Sequence, residues 1–102
     1  ENKISVFRDL ENTSDVIFDS IVCLDVLEHL PDPAKQLKIF LKKLSPKGIA
    51  IMNWYFYKGN NGEYPFHFDD SDMIRKFFEQ LQSKFIEIFH PYLITTRAYQ
   101  PL

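Results

Sequence analysis

Apolar residues run almost unbroken through positions 16–24 and stop at Asp25, where acidic and imidazole side chains begin. Such a run reads as a strand buried on both faces, as in a parallel sheet covered by helices, and predicts the central strand of the fold. The period then changes. Asp32 is a good N-cap, Pro33 suits the first helical position, and Leu37, Phe40, Leu41 and Leu44 recur at the spacing of one helical face. Lysines fall mostly on the other face, with Lys42 and Lys43 near the helix C-terminus, where positive charge complements the macrodipole. Pro46 and Gly48 stop this helix, and a new strand is predicted at 49–54. Strand, crossover helix and parallel strand form one βαβ unit.

Residues 4–7 make a short candidate strand before that unit, ended by the polar run 8–15. After the unit comes an aromatic stretch, 54–68, which also holds Asn60, Asn61 and Gly62 and is not one regular element. Asp69 or Asp70 caps a second helix running to Ser83, with Ile74, Phe77, Phe78 and Leu81 as its buried stripe. Residues 85–89 and 94–99 then read as an antiparallel hairpin around His90, Pro91 and Tyr92. The order is strand, strand, helix, strand, aromatic loop, helix, strand, strand, an α/β fold. Ligands of open α/β sheets bind outside the carboxyl ends of the strands, so the turn at 25–29 is the first place to look for chemistry.

Composition narrows the classes. A chain of 102 residues suffices for one compact domain. A formal net charge of -2 supplies no general attraction to nucleic acid or to an anionic membrane. No apolar run approaches the roughly 20 residues that span a bilayer, and the N-terminus lacks the basic start and apolar core of a signal peptide. The expectation is a cytoplasmic protein with neither nucleic acid nor membrane as partner. Cys23, the single cysteine, lies inside an apolar strand pattern and is read as a small hydrophobe rather than a catalytic thiol.

The segment DVLEHLPDP, followed by LKKLSPKG, resembles the middle of class I S-adenosylmethionine-dependent methyltransferases, whose pattern is usually written with an EHL or EHV triplet and a later L-K-P-G-G. Here Ser45 intervenes and Lys47 replaces the first glycine. The resemblance covers most of the chain and implies a Rossmann-like sheet of seven strands ending in an antiparallel hairpin. On that reading FDSIVCLDVLEHLPDP corresponds to the fourth strand and its turn, LKKLSPKGIAIMNW to the end of the following helix and the fifth strand, and HFDDSDMIRKFFEQLQSKFIEIF to the last helix and sixth strand. The family's glycine-rich cofactor loop and the acidic residue that holds the ribose have no counterpart before Glu1. Residues 1–102 are therefore expected to be a single partial methyltransferase domain, the C-terminal part of a longer enzyme and inactive alone.

The resemblance implies S-adenosylmethionine as cofactor and a small-molecule acceptor, methylated on oxygen, nitrogen or carbon. It matches Asp9 and Leu10 to the position that reads the cofactor adenine, although Asp9 also reads as a solvated loop aspartate. Leu24 and Asp25, at the strand end, match residues that contact the methionine moiety partly through backbone carbonyls; Asp25 alternatively caps the turn. His29 is the candidate general base there, since an imidazole with its ordinary pKa of about 6.5 suits proton removal near neutrality; a structural role is the competing reading. Trp54, Tyr55, Tyr57, Phe66 and His67 fall where the family builds its acceptor pocket, with His67 as a second candidate base, while rings covering a sheet edge or a subunit contact would look the same. Asp25, Glu28 and His29 are metal-ligand types, and some quinone-pathway relatives use a divalent ion near this turn. Three compatible residues in five positions do not define a coordination sphere, and no metal is assigned.

The alternative from another class is a noncatalytic, truncated Rossmann-like module acting by association. If a missing strand normally pairs beside residues 16–24, the exposed sheet edge would recruit the missing N-terminal half or a second copy, giving a homodimer.

Overall fold

The computed structural model describes residues 16–89, 91 and 95–102. Its elements are β1 (Phe18–Cys23), a single 3-10 turn (Leu27–His29), α1 (Pro33–Lys43), β2 (Leu44–Met52), α2 (Ser71–Lys84), β3 (Phe85–Ile88) and β4 (Arg97–Pro101). The strands form one sheet in the order β1-β2-β4-β3. β1 and β2 are parallel, and β4 runs antiparallel to both of its neighbours. This is the partial α/β sheet with a terminal antiparallel pair that the sequence predicts. Residues 4–7, Asp9 and Leu10, and the start of the expected last strand at Ile94 lie outside the described residues.

Capping fixes the helices as the sequence expects. Asp32 Oδ1 accepts from the Lys35 amide at 3.3 Å, with Pro33 at the first turn. Asp70 Oδ1 accepts from the amides of Asp72 and Met73 at 3.0 and 3.1 Å. On the exposed side of α2, Arg75 bridges Asp72 and Glu79. The two helices pack on each other and cover one face of the sheet. There Leu37 and Phe40 of α1 and Phe77 and Leu81 of α2 meet Cys23, Ala50, Met52, Phe85 and Tyr99. Leu27, Leu37, Met52 and Phe77 are fully enclosed, each contributing about 1.5–3 kcal/mol of hydrophobic stabilisation.

β2 begins at Leu44, directly at the end of α1 and well before Ile49. Leu44 pairs with Phe18, the register slips, and pairing resumes between Ser20 and Ile49. Pro46, which has no N–H to give the ladder, falls in this irregularity, where a bulge tolerates it. Gly48 leaves little room at its end: a Cβ there would stand 3.0 Å from the Asp19 carbonyl oxygen and 2.7 Å from Leu44 Cδ1.

Among the described residues β1 is an edge strand, paired with β2 alone, and the candidate neighbour at 4–7 lies outside them. Its apolar run is not buried on both faces, since Val22 is 62% exposed. Val22 pairs with Ile51, and these, with Ile86 at 54% exposure on the far strand, lie on the sheet face opposite the helices. A parallel pair is composed for two covered faces, and only one layer of helices is present among the described residues. No helix among them is long and apolar enough to cross a membrane.

Candidate functional site

The ladder between β1 and β2 ends at Cys23 and Met52, and the Asn53 amide adds one further bond to the Cys23 carbonyl at 3.3 Å. Beyond it the chain turns sharply. Asp25 has φ 57, a left-handed conformation uncommon for a residue with a side chain. Asn53 holds it there: its Oδ1 accepts from the Asp25 amide at 2.7 Å and its Nδ2 donates to Asp25 Oδ1 at 3.2 Å. Two adjacent parallel strand ends are thereby locked by one side chain, which sequence reading passed over. Asparagine immediately after an apolar strand is the only pattern that could have pointed to it.

The turn at 27–29 follows. Leu27 plugs the core, and the Glu28 side chain is buried as well. The Phe68 amide donates to the Glu28 carbonyl at 2.8 Å, which ties the far end of the aromatic loop to this turn. His29 Nδ1 bonds the Phe66 carbonyl at 3.2 Å, and His67 Nδ1 bonds the Tyr57 carbonyl at 3.0 Å. The two imidazoles meet edge to face, with centroids 4.6 Å apart. His67 is stacked on Tyr64 at 5.0 Å, and Tyr55 touches Tyr57, Tyr64 and His67 edge-on. Within the loop, the Tyr57 hydroxyl bonds Asn60 Oδ1 and Lys58 Nζ donates to the Pro65 carbonyl at 3.3 Å.

The structure thus brings His29, Tyr55, Tyr57 and His67 together, with Phe66 contributing its carbonyl and leaving its ring 80% exposed. It sends Trp54 elsewhere. That indole packs on Phe77, Phe78 and Tyr99 at centroid distances of 5.2, 5.7 and 6.0 Å, and Phe56 packs on Phe77 at 5.1 Å. The segment WYFY alternates: residues 54 and 56 face the core, while residues 55 and 57 face the histidines. This period of two is legible in the sequence, although β2 itself ends at Met52 and the Tyr57 amide turns back to the Tyr55 carbonyl at 2.8 Å. Leu24 and Asp25 sit at the strand end, exposed. Asp9 and Leu10 lie outside the described residues.

Two further ionisable groups, Cys23 and Tyr99, are buried in the core. Burial, and secondarily the Glu28 charge, push the Cys23 thiol up to about 11, so it stays protonated and inert near neutrality. Behind Trp54, the Tyr99 hydroxyl donates to Glu87 Oε1 at 2.8 Å and Arg97 Nη1 approaches the same oxygen at 3.3 Å. The Tyr99 hydroxyl bond, then Arg97, hold the Glu87 carboxyl below its ordinary range; burial, then Glu87, push Tyr99 up.

Comparison with known proteins gives relatives but no family model that matches. The chain is 37% identical over 49 residues to the ubiquinone biosynthesis O-methyltransferase of Rickettsia bellii, a match covering 48% of this chain and 20% of that protein. With the same enzyme of Psychrobacter cryohalolentis it shares 39% over 36 residues, 35% of this chain and 14% of that one. The chain therefore spans about a fifth or less of the curated relatives' length. Among solved structures, N-methyltransferase NodS from Bradyrhizobium japonicum, in complex with S-adenosyl-L-homocysteine, superposes with a TM-score of 0.56. That likeness covers 91% of this chain and 51% of that one at 16% identity, a likeness of fold.

Proposed function

We propose, from the relation of this chain to class I S-adenosylmethionine-dependent methyltransferases in both sequence and fold, that it is the C-terminal part of a cytoplasmic enzyme that methylates a small molecule. The observation that carries this reading is the locked strand-end turn, with Asp25 held left-handed by Asn53 at the carboxyl ends of two parallel strands. Open α/β sheets bind their ligands there. Leu24 and Asp25 present backbone to the methionine moiety of S-adenosylmethionine, and Asp9 and Leu10 serve the adenine. The acceptor lies over Tyr55, Tyr57, Phe66 and His67.

Methyl transfer needs alignment more than covalent help from the protein. The acceptor's nucleophilic atom forms a bond to the methyl carbon as the carbon–sulfur bond breaks, releasing S-adenosylhomocysteine. Where that atom carries a proton, His29 Nε2 accepts it. The orientation is suitable, because a carbonyl can only accept: the Phe66 carbonyl fixes the proton on Nδ1 of the neutral ring and leaves the lone pair on Nε2.

The test is calorimetric titration of S-adenosylhomocysteine into this chain and into a form extended upstream as far as the gene allows. Binding by the extended form alone supports a cofactor site divided between this half and the preceding sequence. Binding by neither removes the enzyme reading and favours the second one, association through the β1 edge and the bare face around Val22 and Ile86. That second reading requires a concentration-dependent dimer in light scattering, weakened by Val22→Lys.

A further inference from the structure

We infer that Asn53 is a positioning residue for the cofactor, setting the backbone of Leu24 and Asp25 against its amino-acid end; the inference rests on the methyltransferase reading of this strand end. Asp25 holds φ 57, a region that residues with a Cβ seldom enter. One side chain keeps it there. Asn53 Oδ1 accepts from the Asp25 amide at 2.7 Å while Nδ2 donates to Asp25 Oδ1 at 3.2 Å, and among the described residues nothing else bonds that amide or that carboxylate. Asparagine offers an acceptor and a donor side by side on one rigid plane, which is what an adjacent amide and carboxylate require.

Asn53 is itself held firmly. Its amide donates to the Cys23 carbonyl at 3.3 Å, Met52 before it is fully buried, and Trp54 after it packs on Phe77 and Phe78. A side chain anchored on both flanks imposes a conformation on its neighbour instead of following it.

The carbonyls of Leu24 and Asp25 are the groups so placed. Neither accepts a hydrogen bond among the described residues, and both residues are exposed. The direction of a peptide carbonyl follows from the φ and ψ on either side of it, so a left-handed Asp25 aims this pair differently from an extended or right-handed one. The amino-acid end of S-adenosylmethionine carries an ammonium, which donates three hydrogen bonds and accepts none. Unengaged carbonyls suit it, and such bonds weaken steeply at angles below about 120°. Rotation of one peptide at Asp25 therefore removes a partner from the ammonium. The Asp25 carboxylate is engaged with Asn53, so Asp25 serves the cofactor through its backbone and not through its charge.

An Asn53 that only stabilises the fold and an Asn53 that positions the cofactor differ in which ligands they affect. The test uses the form extended upstream as far as the gene allows, titrated by calorimetry with S-adenosylhomocysteine and with 5′-methylthioadenosine, which keeps adenine, ribose and sulfur but lacks the amino-acid end. Asn53→Ala should weaken S-adenosylhomocysteine by about tenfold, since the ligand must then select a minor conformer of the turn, and leave 5′-methylthioadenosine within about twofold. Asn53→Asp should behave similarly, because a second carboxylate has no proton to donate to that of Asp25. Adding Asp25→Asn to Asn53→Asp exchanges amide and carboxylate, restores both bonds and should return the affinity to within about threefold of native. Carbon-13 shifts at position 25 should leave the left-handed range in Asn53→Ala and regain it in the exchanged pair. Native binding with undiminished affinity in Asn53→Ala overturns the proposal and leaves the methyltransferase reading standing. So does an equal loss for both ligands, no recovery in the exchanged pair, or left-handed shifts retained in Asn53→Ala. No binding of either ligand by the native protein removes that reading and this proposal together.

Discussion

The contact between Asn53 and Asp25 can be weighed by stability alone, without cofactor or acceptor. A left-handed conformation costs a residue with a Cβ about 1–2 kcal/mol, which glycine does not incur. Asp25 at φ 57 carries that cost and is offset by two bonds to Asn53, of 2.7 and 3.2 Å, each worth about 0.5–1.5 kcal/mol net. Asp25→Ala keeps the strain and loses the carboxylate bond, so it should be the least stable substitution at this position. Asp25→Gly loses the same bond but sheds the strain; after the roughly 0.5–1 kcal/mol entropic cost of glycine it should come out near neutral. Asn53→Ala should cost about 2 kcal/mol in the native background, where both bonds go, and about 1 kcal/mol when combined with Asp25→Gly, where only the bond from the backbone amide remains to be lost. The coupling of about 1 kcal/mol is within reach of a double-mutant cycle. Urea unfolding followed by fluorescence supplies the values, with Trp54, the single tryptophan, reporting from its place against Phe77 and Phe78. Equal stability of the Asp25→Ala and Asp25→Gly variants, or the same cost for Asn53→Ala in both backgrounds, would mean that Asn53 does not offset backbone strain at Asp25.

Gly48→Ala should destabilise by about 1–3 kcal/mol, because a Cβ meets the Asp19 carbonyl and the Leu44 side chain, and thermal unfolding would register it. The Glu87 carboxyl, depressed by the Tyr99 hydroxyl and by Arg97, lends stability above the pKa of an unfolded glutamate and loses it as pH falls through the lower folded value. Acid unfolding of Tyr99→Phe should accordingly show a shallower loss of stability below the ordinary glutamate range than the native chain; an identical slope would dissociate the two groups. Cys23, with its thiol pushed up to about 11, should resist a disulfide reagent at pH 8 in the folded chain and react only as fast as the chain opens. Prompt labelling would show that the strand end is not closed over it.

How much of the fold was legible depends on whether the relevant information is local. Asp32 and Asp70 cap the helices the sequence assigns them, and Leu37, Phe40, Phe77 and Leu81 are buried as their spacing requires, because helix periodicity and capping act over a few residues. The cover over β1 was not legible. An apolar run states how much cover a strand is suited to, and cover is supplied by other elements. Ser20, Val22 and Ile51 would read identically in a chain with a second helical layer and in one without it. The early start of β2 was hidden similarly, since Pro46 and Gly48 end a helix equally well whether a loop or a bulged strand follows.

The site shows the same division more sharply. Asp25, Glu28 and His29 announce themselves because they fall within five consecutive residues. Asn53 and His67 arrive from far along the sequence, and what brings them is topology: once β1 and β2 are known to be parallel neighbours, the residue after one strand must lie beside the residue after the other. Parallel pairing thus converts a long separation into the 2.7 Å contact between Asn53 and Asp25. The same step carries the aromatic loop, which starts at that strand end, back across the turn, where the Phe68 amide fastens it to Glu28 and sets His67 against His29. A sequence reading that reaches a βαβ unit can therefore go one inference further and pair the two strand ends. Here that pairing selects Asn53, and the alternation through residues 54–57 then separates the rings that face the histidines from those that fill the core.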